Sequence, residues 1–487
     1  MSRLRLLVVV AHYGHKNRPY LLGMLEEFRQ MPFDVTIEVL SESPKDLGPD
    51  VHVRVGVPGR SPWTLPFAYK QVLAERQHLH DVFVYTEDDI GLTTEHVRAF
   101  LRASEALPDD CVPGFVRYEV DGLGNRYFVD LFRAFHFDPE SVRTIGGKKY
   151  AELTNLHAAC FMLTRGQLAV ALSHPTFLRR PCRGLYDFAE TAATEPYTQG
   201  GLRKLIPLDD FGQFCLHHLT NKYFQLPSHS LADARVVEKQ IQALRTVKPG
   251  LRQTWFRTSA AIESHFWDMA YYSPADGDVA AQLGLRAKTV LSIGCGAGST
   301  EALLARSGKA VTAIPLDRIV SASLAEQGVD VRTPDYESEL AQLEGQRFDA
   351  ILLIDILPYV TDPVRLLRQC RVLLADDGAI IVRGVNFSHI SLVRRVLSGY
   401  VRLTDAARLF LFRASGVHAT TRSRIGRWLE QAGLSVSNEA PPRSASASPL
   451  VLREKVLARL PATIRDRNFL VVARISTLPT HSASTAP

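Results

Sequence analysis

The chain has 487 residues, of which 46% are apolar and 22% charged, and its net charge is +6. This composition is that of a globular protein, so it excludes collagen-like, low-complexity and intrinsically disordered chains, and the length suffices for about two to four domains. The mild positive charge allows an anionic substrate or peripheral association with an acidic membrane surface, but it does not indicate nucleic-acid binding.

Cysteine spacing and apolar runs limit the class of protein further. The six cysteines are scattered and form no Cys-x-x-Cys pair, which argues against a zinc ribbon and a disulfide scaffold. No run of about 18 or more apolar residues occurs, so no membrane-spanning segment is predicted. The apolar stretch Arg3–Val10 lacks a small-residue cleavage site and is predicted to be a strand. We therefore expect a cytoplasmic protein.

Strands and helices are predicted to alternate in the first part of the chain. The predicted elements are a strand at Leu6–Val10, a helix at Arg18–Met31, a strand at Val35–Ser41, a helix at Phe67–His78, and strands at Asp81–Thr86 and Ala158–Leu163. This order is typical of an α/β domain with a largely parallel sheet. Between Cys111 and Arg180 the pattern becomes irregular, as is common in substrate-binding loops.

A domain boundary is predicted in the polar, basic stretch from Val236 to Arg257, which contains the break Lys248–Gly250. Residues 1–250 then form one domain and residues 251–476 a second. Residues 477–487, rich in Ser, Thr, Ala and Pro, are predicted to be a disordered tail. Strands of the second domain are predicted at Val311–Leu316, Phe348–Ile354, Gly378–Arg383 and Asn468–Arg474.

The second domain opens with a glycine-rich turn. An apolar strand beginning at Thr289 is joined to the helix Ser299–Arg306 through Gly294, Gly296 and Gly298. A strand, a glycine turn and a helix N-terminus together allow the backbone to approach a nucleotide closely. The alternative is a tight structural turn with no ligand.

Val290–Gly298 resembles motif I of the class I S-adenosylmethionine-dependent methyltransferases, and the resemblance covers about Tyr271–Ser476. Further matching stretches are Tyr271–Pro274, Phe348–Asp355, Asp362–Arg368, Leu373–Gly378 and Trp428–Gly433. The resemblance implies a Rossmann-like fold that binds S-adenosylmethionine at Gly294, Gly296 and Gly298, in the crevice where the strand order of an open sheet reverses.

The same resemblance assigns residues to the parts of that site. Asp335 matches a position near the adenine, and Asp355 matches a position near the methionine end of the cofactor. Asn386 and His389 match a segment on the acceptor side. For His389, a hydrogen-bonded structural role is an equally weighted alternative.

Two acidic residues expected from this resemblance are absent. Ser292 stands at the acidic position of the first strand, and Pro315 stands where a carboxylate normally binds the ribose hydroxyls. Proline has no side-chain acceptor, and Asp317, two residues later, is the predicted substitute. Each lost charge-assisted hydrogen bond costs ~1.5–3 kcal/mol. The hypothesis that follows is a domain that binds the cofactor weakly or not at all.

Three consecutive carboxylates, Glu87, Asp88 and Asp89, follow the predicted strand Asp81–Thr86. Open α/β sheets bind ligands at the carboxyl ends of their strands. Carboxylate oxygens are hard ligands that suit Mg²⁺ or Mn²⁺, so these residues are predicted to bind a metal ion. The alternative is a solvated acidic loop ahead of a helix.

This acidic run, together with Ala11–Tyr13 after the first strand, resembles the GT-A glycosyltransferases. The resemblance implies a metal ion that holds a nucleotide-sugar donor and an acidic residue that deprotonates the acceptor. Asp210, or else Asp209, is the predicted base, with helix N-capping as the alternative for one of them. His217, His218 and His229 are the candidates for the final metal ligand, and His229 is preferred because it lies on a predicted loop.

These patterns predict an α/β protein of two domains, an N-terminal GT-A-like nucleotide-sugar-binding domain and a C-terminal Rossmann-like methyltransferase fold. The leading hypothesis is metal-dependent transfer of a sugar from a nucleotide-sugar donor to a glycan or glycolipid acceptor. The fused methyltransferase-like domain then methylates the glycan or is degenerate and serves docking. The alternative is an S-adenosylmethionine-dependent methyltransferase whose N-terminal domain recognises the substrate without catalysis.

Overall fold

The computed structural model describes residues 3–182, 186–226, 231–248, 253–255, 271–284, 286–390, 394, 397, 412–437, 466 and 468–476. The chain divides into two units, Met1–Leu251 and Arg252–Pro487. The predicted tail at residues 477–487 lies outside the described residues.

The first unit alternates strands and helices near its N-terminus and is richer in strands afterwards. Its strands are β1 (Arg5–Ala11), β2 (Asp34–Ser41), β3 (Val51–Val55), β4 (Val82–Glu87), β5 (Ile90–Gly91), β6 (Cys111–Pro113), β7 (Val116–Val120), β8 (Arg126–Phe132), β9 (Phe137–Ile145), β10 (Lys148–Leu153), β11 (Cys160–Thr164), β12 (Arg203–Pro207), β13 (Cys215–His218) and β14 (Leu231–Asp233). Its helices are α1 (Arg18–Gln30), α2 (Tyr69–Arg76), α3 (Thr94–Ser104), α4 (Arg165–Ser173), α5 (Phe188–Thr198) and α6 (Ala234–Thr246), with 3₁₀ turns at Pro62–Ala68 and Phe211–Phe214.

The main sheet of this unit has the strand order β11-β4-β1-β2-β3. β1 pairs in parallel with β2 and β4, β2 pairs in parallel with β3, and β11 runs antiparallel to β4. Residues Leu6–Val10 of β1 are fully buried, as is usual in parallel sheets, whose strands are covered on both faces. Ala11 lies opposite Glu87, so the carboxyl ends of β1 and β4 are adjacent.

Two further sheets correct the prediction of an irregular region after Cys111. Their strand orders are β6-β12-β10-β9 and β14-β8-β7-β13-β5. The hairpin of β7 and β8 pairs Tyr118 with Phe128, and Asp121 accepts backbone hydrogen bonds that close its turn. Such short strands owe their stability to cross-strand and tertiary contacts, which local sequence periodicity does not record.

The polar stretch predicted to link the domains begins as a helix. Asp233 caps α6 by accepting a hydrogen bond from the Val236 N–H group (3.0 Å). Val237, Ile241 and Leu244 of this helix are buried. This spacing places an apolar stripe on one face of an otherwise polar helix, so the composition alone was misleading.

The second unit is built around one sheet. Its strands are β15 (Thr289–Cys295), β16 (Ala310–Pro315), β17 (Val329–Val331), β18 (Phe348–Ile354), β19 (Leu374–Val385), β20 (Leu434–Ser437) and β21 (Asn468–Ile475). Its helices are α7 (Gly277–Leu283), α8 (Ser299–Arg306), α9 (Tyr336–Gln342), α10 (Pro363–Val372), α11 (Phe412–Ser415) and α12 (Arg422–Gln431), with 3₁₀ turns at Ala325–Gln327 and Leu357–Tyr359.

The strand order of this sheet is β17-β16-β15-β18-β19-β21-β20. The first five strands pair in parallel, whereas β21 runs antiparallel to both β19 and β20. All five strands predicted from sequence in this half are confirmed. Because β16 and β18 lie on opposite sides of β15, the strand order reverses there, and the carboxyl end of β15 opens into a crevice suited to a ligand.

Candidate functional site

A cleft lies at the carboxyl end of β15 in the second unit. Its lining residues are Tyr271, Ser273, Pro274, Gly294, Cys295, Gly296, Ala297, Gly298, Ser299, Thr300, Glu301, Leu316, Ile354, Asp355 and Arg383. The structure thus brings together four of the predicted site residues, the three glycines of the turn and Asp355. Glu301 and Arg383 are charged lining residues that the sequence analysis did not single out.

The glycines of the turn lie too close to other parts of the protein to carry a side chain. A Cβ on Gly296 would overlap the carbonyl group of Tyr271, whose oxygen accepts a hydrogen bond from the Ala297 N–H group (2.7 Å). A Cβ on Gly298 would overlap Leu324, and Gly298 has a left-handed φ of +76°. The sequence analysis expected these positions to be glycine so that a ligand could approach. Close contact with Tyr271 and Leu324 is a further reason for glycine at two of them, and the approach of a ligand stays a prediction.

Ser292 of β15 is joined to a carboxylate on the following helix. Its hydroxyl donates a hydrogen bond to Oε1 of Glu301 in α8 (2.6 Å), and the two residues are only 1% and 3% exposed. Burial raises the pKa of Glu301 above its ordinary value. The acidic side chain missing from position 292 is therefore present in the same wall of the cleft, supplied from α8.

Asp355 and Arg383 are two further charged residues that line the cleft. Nη1 of Arg383 lies 3.1 Å from Oδ2 of Asp276 and 3.6 Å from Oδ2 of Asp355. Asp355 has a left-handed φ of +55°, which is unusual for a residue other than glycine. Its Oδ1 atom is buried and has no hydrogen-bond partner among the described residues, and burial raises the pKa of Asp355. Strained backbone and an unpaired buried polar atom are features that cluster at binding sites.

The role of Asp317 as the substitute for the carboxylate missing at Pro315 stays a prediction, because Asp317 does not line the cleft. It is fully buried, and its Oδ1 accepts hydrogen bonds from the N–H groups of Ile319 (2.7 Å) and Val320 (2.9 Å). The side chain therefore turns into the loop that follows β16, and Leu316 lines the cleft at this edge. Loop capping, which spacing along a strand does not reveal, determines where this carboxylate points.

Three further predicted residues lie outside the lining of the cleft. Asp335 caps α9 by accepting a hydrogen bond from the Ser338 N–H group (3.4 Å). The Asn386 side chain donates to the carbonyl of Asp466 (2.8 Å). His389 is half-buried, and its N–H group donates to the carbonyl of Asn386 (3.0 Å). Their assignments to the adenine and to the acceptor stay predictions.

The acidic run of the first unit is paired with protein side chains. Asp88 lies 2.5 Å from Nδ1 of His12 and accepts a hydrogen bond from the Asn17 side chain (2.7 Å). Asp89 lies 3.2 Å from Nε2 of His218. Burial and the neighbouring carboxylate of Asp89 raise the pKa of Glu87 to about 7.

These pairings do not support the prediction of a divalent metal at Glu87, Asp88 and Asp89. Within the part of the chain that the structure describes, no group of three or more His, Cys, Asp or Glu side chains is arranged to hold a metal ion. Asp88 and Asp89 instead face histidine and amide donors, which offset the repulsion between these two carboxylates. His229, the predicted final ligand, lies outside the described residues.

Further buried ion pairs surround this acidic run. Nδ1 of His218 lies 2.6 Å from Oε1 of Glu119. Burial opposes the charged form, but the hydrogen bonds to Asp89 and Glu119 raise the pKa of His218. Arg117 donates to Asp130 from Nη2 (2.7 Å) and Nε (3.1 Å), and Asp130 is fully buried. We refer to Asp89, Arg117, Glu119, Asp130 and His218 as the buried charge cluster.

The two predicted catalytic bases have structural partners. Asp210 forms an ion pair with Nζ of Lys148 (2.5 Å), and Asp209 accepts a hydrogen bond from the Lys149 N–H group (2.8 Å). Asp210 precedes the 3₁₀ turn Phe211–Phe214, but its side chain makes no capping hydrogen bond. These contacts tie both carboxylates to β10, so a role for either residue as a base stays a prediction.

The comparisons with known proteins concern the second unit. Residues 270–439 match the family model described as a methyltransferase domain. The second unit carries a methyltransferase domain. The match lies wholly within that unit, and the glycosyltransferase resemblance of the first unit stays a prediction.

Relatives of the methyltransferase domain are distant. The ubiquinone biosynthesis O-methyltransferase of Coxiella burnetii is 25% identical over 161 residues, which cover 31% of this chain and 66% of that protein. The protein of the same name from Caulobacter vibrioides is 37% identical over 117 residues, which cover 23% of this chain and 46% of that protein. The chain thus spans less than two thirds of the length of these relatives.

Solved structures similar to the chain include an O-methyltransferase family protein from Burkholderia thailandensis. It matches with a TM-score of 0.29 and 18% identity, over 41% of this chain and 55% of that one.

Helix length and hydropathy bear on membrane insertion. Within the described ranges, no helix is both long and apolar enough to cross a membrane.

Proposed function

We propose that this protein is an S-adenosylmethionine-dependent methyltransferase. The observation that carries the proposal is the cleft at the carboxyl end of β15, which combines the glycine turn with charged groups of both signs. Its position at the reversal of the strand order is where open α/β sheets bind nucleotides. The match of residues 270–439 to a methyltransferase domain supports the same reaction class.

The residues of the cleft fit this cofactor. S-adenosylmethionine carries a nucleoside, a carboxylate and two cationic groups, and it supplies an activated methyl group to a nucleophile. Arg383 is suited to the carboxylate, because its guanidinium lines the cleft. Asp355, with one buried oxygen that lacks a partner among the described residues, is suited to accept a hydrogen bond from the cofactor.

The acceptor is proposed to be a hydroxyl oxygen. The two relatives named above are O-methyltransferases, which supports a hydroxyl acceptor, and the glycan or glycolipid acceptor expected from the sequence is rich in hydroxyl groups. We propose that the first unit recognises this acceptor without catalysis. The ion pair of Asp89 with His218 supports a role without metal-dependent catalysis, because it engages a carboxylate that was predicted to bind the metal ion.

Calorimetric titration of the full chain with S-adenosylmethionine tests the proposal. Binding with a micromolar Kd is expected, and S-adenosylhomocysteine is expected to compete with it. The absence of binding by both compounds would overturn the proposed function. It would favour the earlier hypothesis that the methyltransferase fold serves only docking.

A second candidate function for the first unit is glycosyl transfer from a nucleotide sugar. The observation that favours it is a set of buried polar atoms without partners among the described residues: Nε2 of His12, Oε1 of Glu87 and Oδ1 of Asp89. His12 follows β1, Glu87 ends β4, and Asp89 follows β4. The carboxyl ends of these two strands are adjacent. Polar atoms left unpaired at such a place suit a hydroxyl-rich ligand.

Asp89→Ala distinguishes the two candidates for the first unit. If that unit transfers a sugar, the variant loses transfer or hydrolysis of every nucleotide sugar that the wild-type protein uses. If the unit only recognises the acceptor, the variant raises the KM for the acceptor and leaves the affinity for S-adenosylmethionine unchanged. Assays with and without Mn²⁺ show whether either activity needs the metal.

A further inference from the structure

Glu301 is a buried carboxylate without a counter-charge. It lies in the first turn of α8 and is 3% exposed, and its described hydrogen-bond partner is the neutral hydroxyl of Ser292 at 2.6 Å. Among the described residues, no Lys, Arg or His side chain forms an ion pair with it. Burial of an unpaired carboxylate is costly, and the cost is relieved either by a proton or by a ligand that supplies the missing positive charge.

The cation that lines the cleft does not pair with Glu301. Arg383 lies against Asp276 and Asp355, at 3.1 and 3.6 Å. The cleft therefore holds one positive side chain paired with two carboxylates, and a third carboxylate, Glu301, in the wall formed by β15 and α8. This distribution of charge favours a ligand that brings a cation to Glu301.

We infer that Glu301 is the counter-charge for the cationic methionine end of S-adenosylmethionine, and that Ser292 positions it. The inference rests on the proposed function. The hydroxyl of Ser292 holds Oε1 of Glu301 from the strand side, which fixes the direction of the carboxylate. Charge-assisted hydrogen bonds of this kind are about twice as strong as those between neutral groups.

The test compares two nucleosides on the full-length protein. S-adenosylmethionine carries the cationic amino-acid end, whereas 5′-deoxy-5′-methylthioadenosine has the same nucleoside without it. Glu301→Gln is expected to weaken S-adenosylmethionine binding by about tenfold or more and to leave methylthioadenosine binding within about twofold of wild type. Ser292→Ala is expected to give a smaller loss with the same selectivity.

A carboxylate moved to the strand should restore binding. In the double variant Ser292→Asp/Glu301→Ala, the acidic group is attached to β15 and reaches the same wall, because the two side chains meet at 2.6 Å. We expect this variant to bind S-adenosylmethionine more tightly than Glu301→Gln does.

Glu339 provides a matched control. It is also a buried glutamate that accepts a hydrogen bond from a hydroxyl, that of Thr333 (2.5 Å), but it does not line the cleft. Glu339→Gln is expected to bind both nucleosides as the wild-type protein does.

The outcomes separate the inference from the proposed function. Equal weakening of both nucleosides by Glu301→Gln would indicate a merely structural role and overturn the inference, as would unchanged binding of both. In either case the wild-type protein still binds S-adenosylmethionine, so the proposed function stands. Failure of the wild-type protein to bind either nucleoside overturns both.

Discussion

Both units place acidic side chains at the carboxyl ends of parallel strands, but the two groups of carboxylates have different partners. In the first unit, Asp88 and Asp89 meet His12 and His218 at hydrogen-bonding distance. In the second unit, Glu301 meets a serine hydroxyl and, among the described residues, no cationic side chain. Carboxylates neutralised by the protein contribute to its own stability, whereas an unneutralised carboxylate in a cleft favours a cationic ligand.

The largest effect is expected from Gly296→Ala, which tests whether the cleft of the second unit is the binding site. The added Cβ overlaps the Tyr271 carbonyl, so the turn that lines the cleft must shift. Because small displacements in a binding site are costly, we expect S-adenosylmethionine affinity to fall by about a hundredfold or more in calorimetric titration. Gly426→Ala is the control, since a Cβ there meets no atom within 4 Å. Wild-type affinity in Gly296→Ala would contradict the assignment of the cleft.

Asp130→Asn is expected to act on the first unit alone. It leaves the buried Arg117 guanidinium without its hydrogen-bonded counter-charge, which lowers the free energy of unfolding by about 3–5 kcal/mol. Denaturant unfolding measures this loss, and S-adenosylmethionine affinity should not change. The control is Asp50→Asn in the exposed pair with Arg29, where the loss of unfolding free energy should be far smaller. A comparable loss of cofactor affinity in Asp130→Asn would contradict the independence of the two groups.

Glu87→Gln tests the carboxylates of the first unit through the pH dependence of the free energy of unfolding. The folded-state pKa of Glu87 is raised to about 7, whereas the unfolded value is about 4.3. The folded state therefore retains a proton that the unfolded state has lost, so stability falls as pH rises between these two values. At pH 8 we expect the free energy of unfolding of Glu87→Gln to exceed that of wild type by about 1–3 kcal/mol. The variant should therefore unfold at a higher temperature than wild type at pH 8, with little difference at pH 4.

Unfolding measured in the presence of Mn²⁺ complements the pH experiment on Glu87. A metal ion bound at Glu87 would favour the ionised carboxylate and remove the loss of wild-type stability at pH 8. We expect Mn²⁺ to leave the unfolding temperature of wild type and Glu87→Gln equally unchanged. Stabilisation of the wild-type protein alone would restore the prediction of a metal site.

The predictable parts of the fold were those with strong local patterns. The buried runs Leu6–Val10 and Phe348–Ile354 are strands, as their unbroken apolar character indicates. The strands from β6 to β10 were missed, since their pairing joins residues far apart in the chain and leaves no regular period.

Only the part of the site that depends on local backbone geometry could be predicted from the sequence. Gly294, Gly296 and Gly298 mark the cleft because their spacing between a strand and a helix is a local property. Where a carboxylate points is not local. Asp317 was predicted to face the cofactor and caps its own loop, whereas Glu301, one residue among many in an ordinary helix, lines the cleft.

The sequence by itself determined the α/β class, the strand that carries the glycine turn and the residue types at each strand end. Only the tertiary structure decided which charges are neutralised. It brings His218 to Asp89 from 129 positions along the chain and Ser292 to Glu301 across a turn. The physical reason is that electrostatic pairing depends on distance and burial in the folded protein, and neither quantity is encoded in the local order of residues.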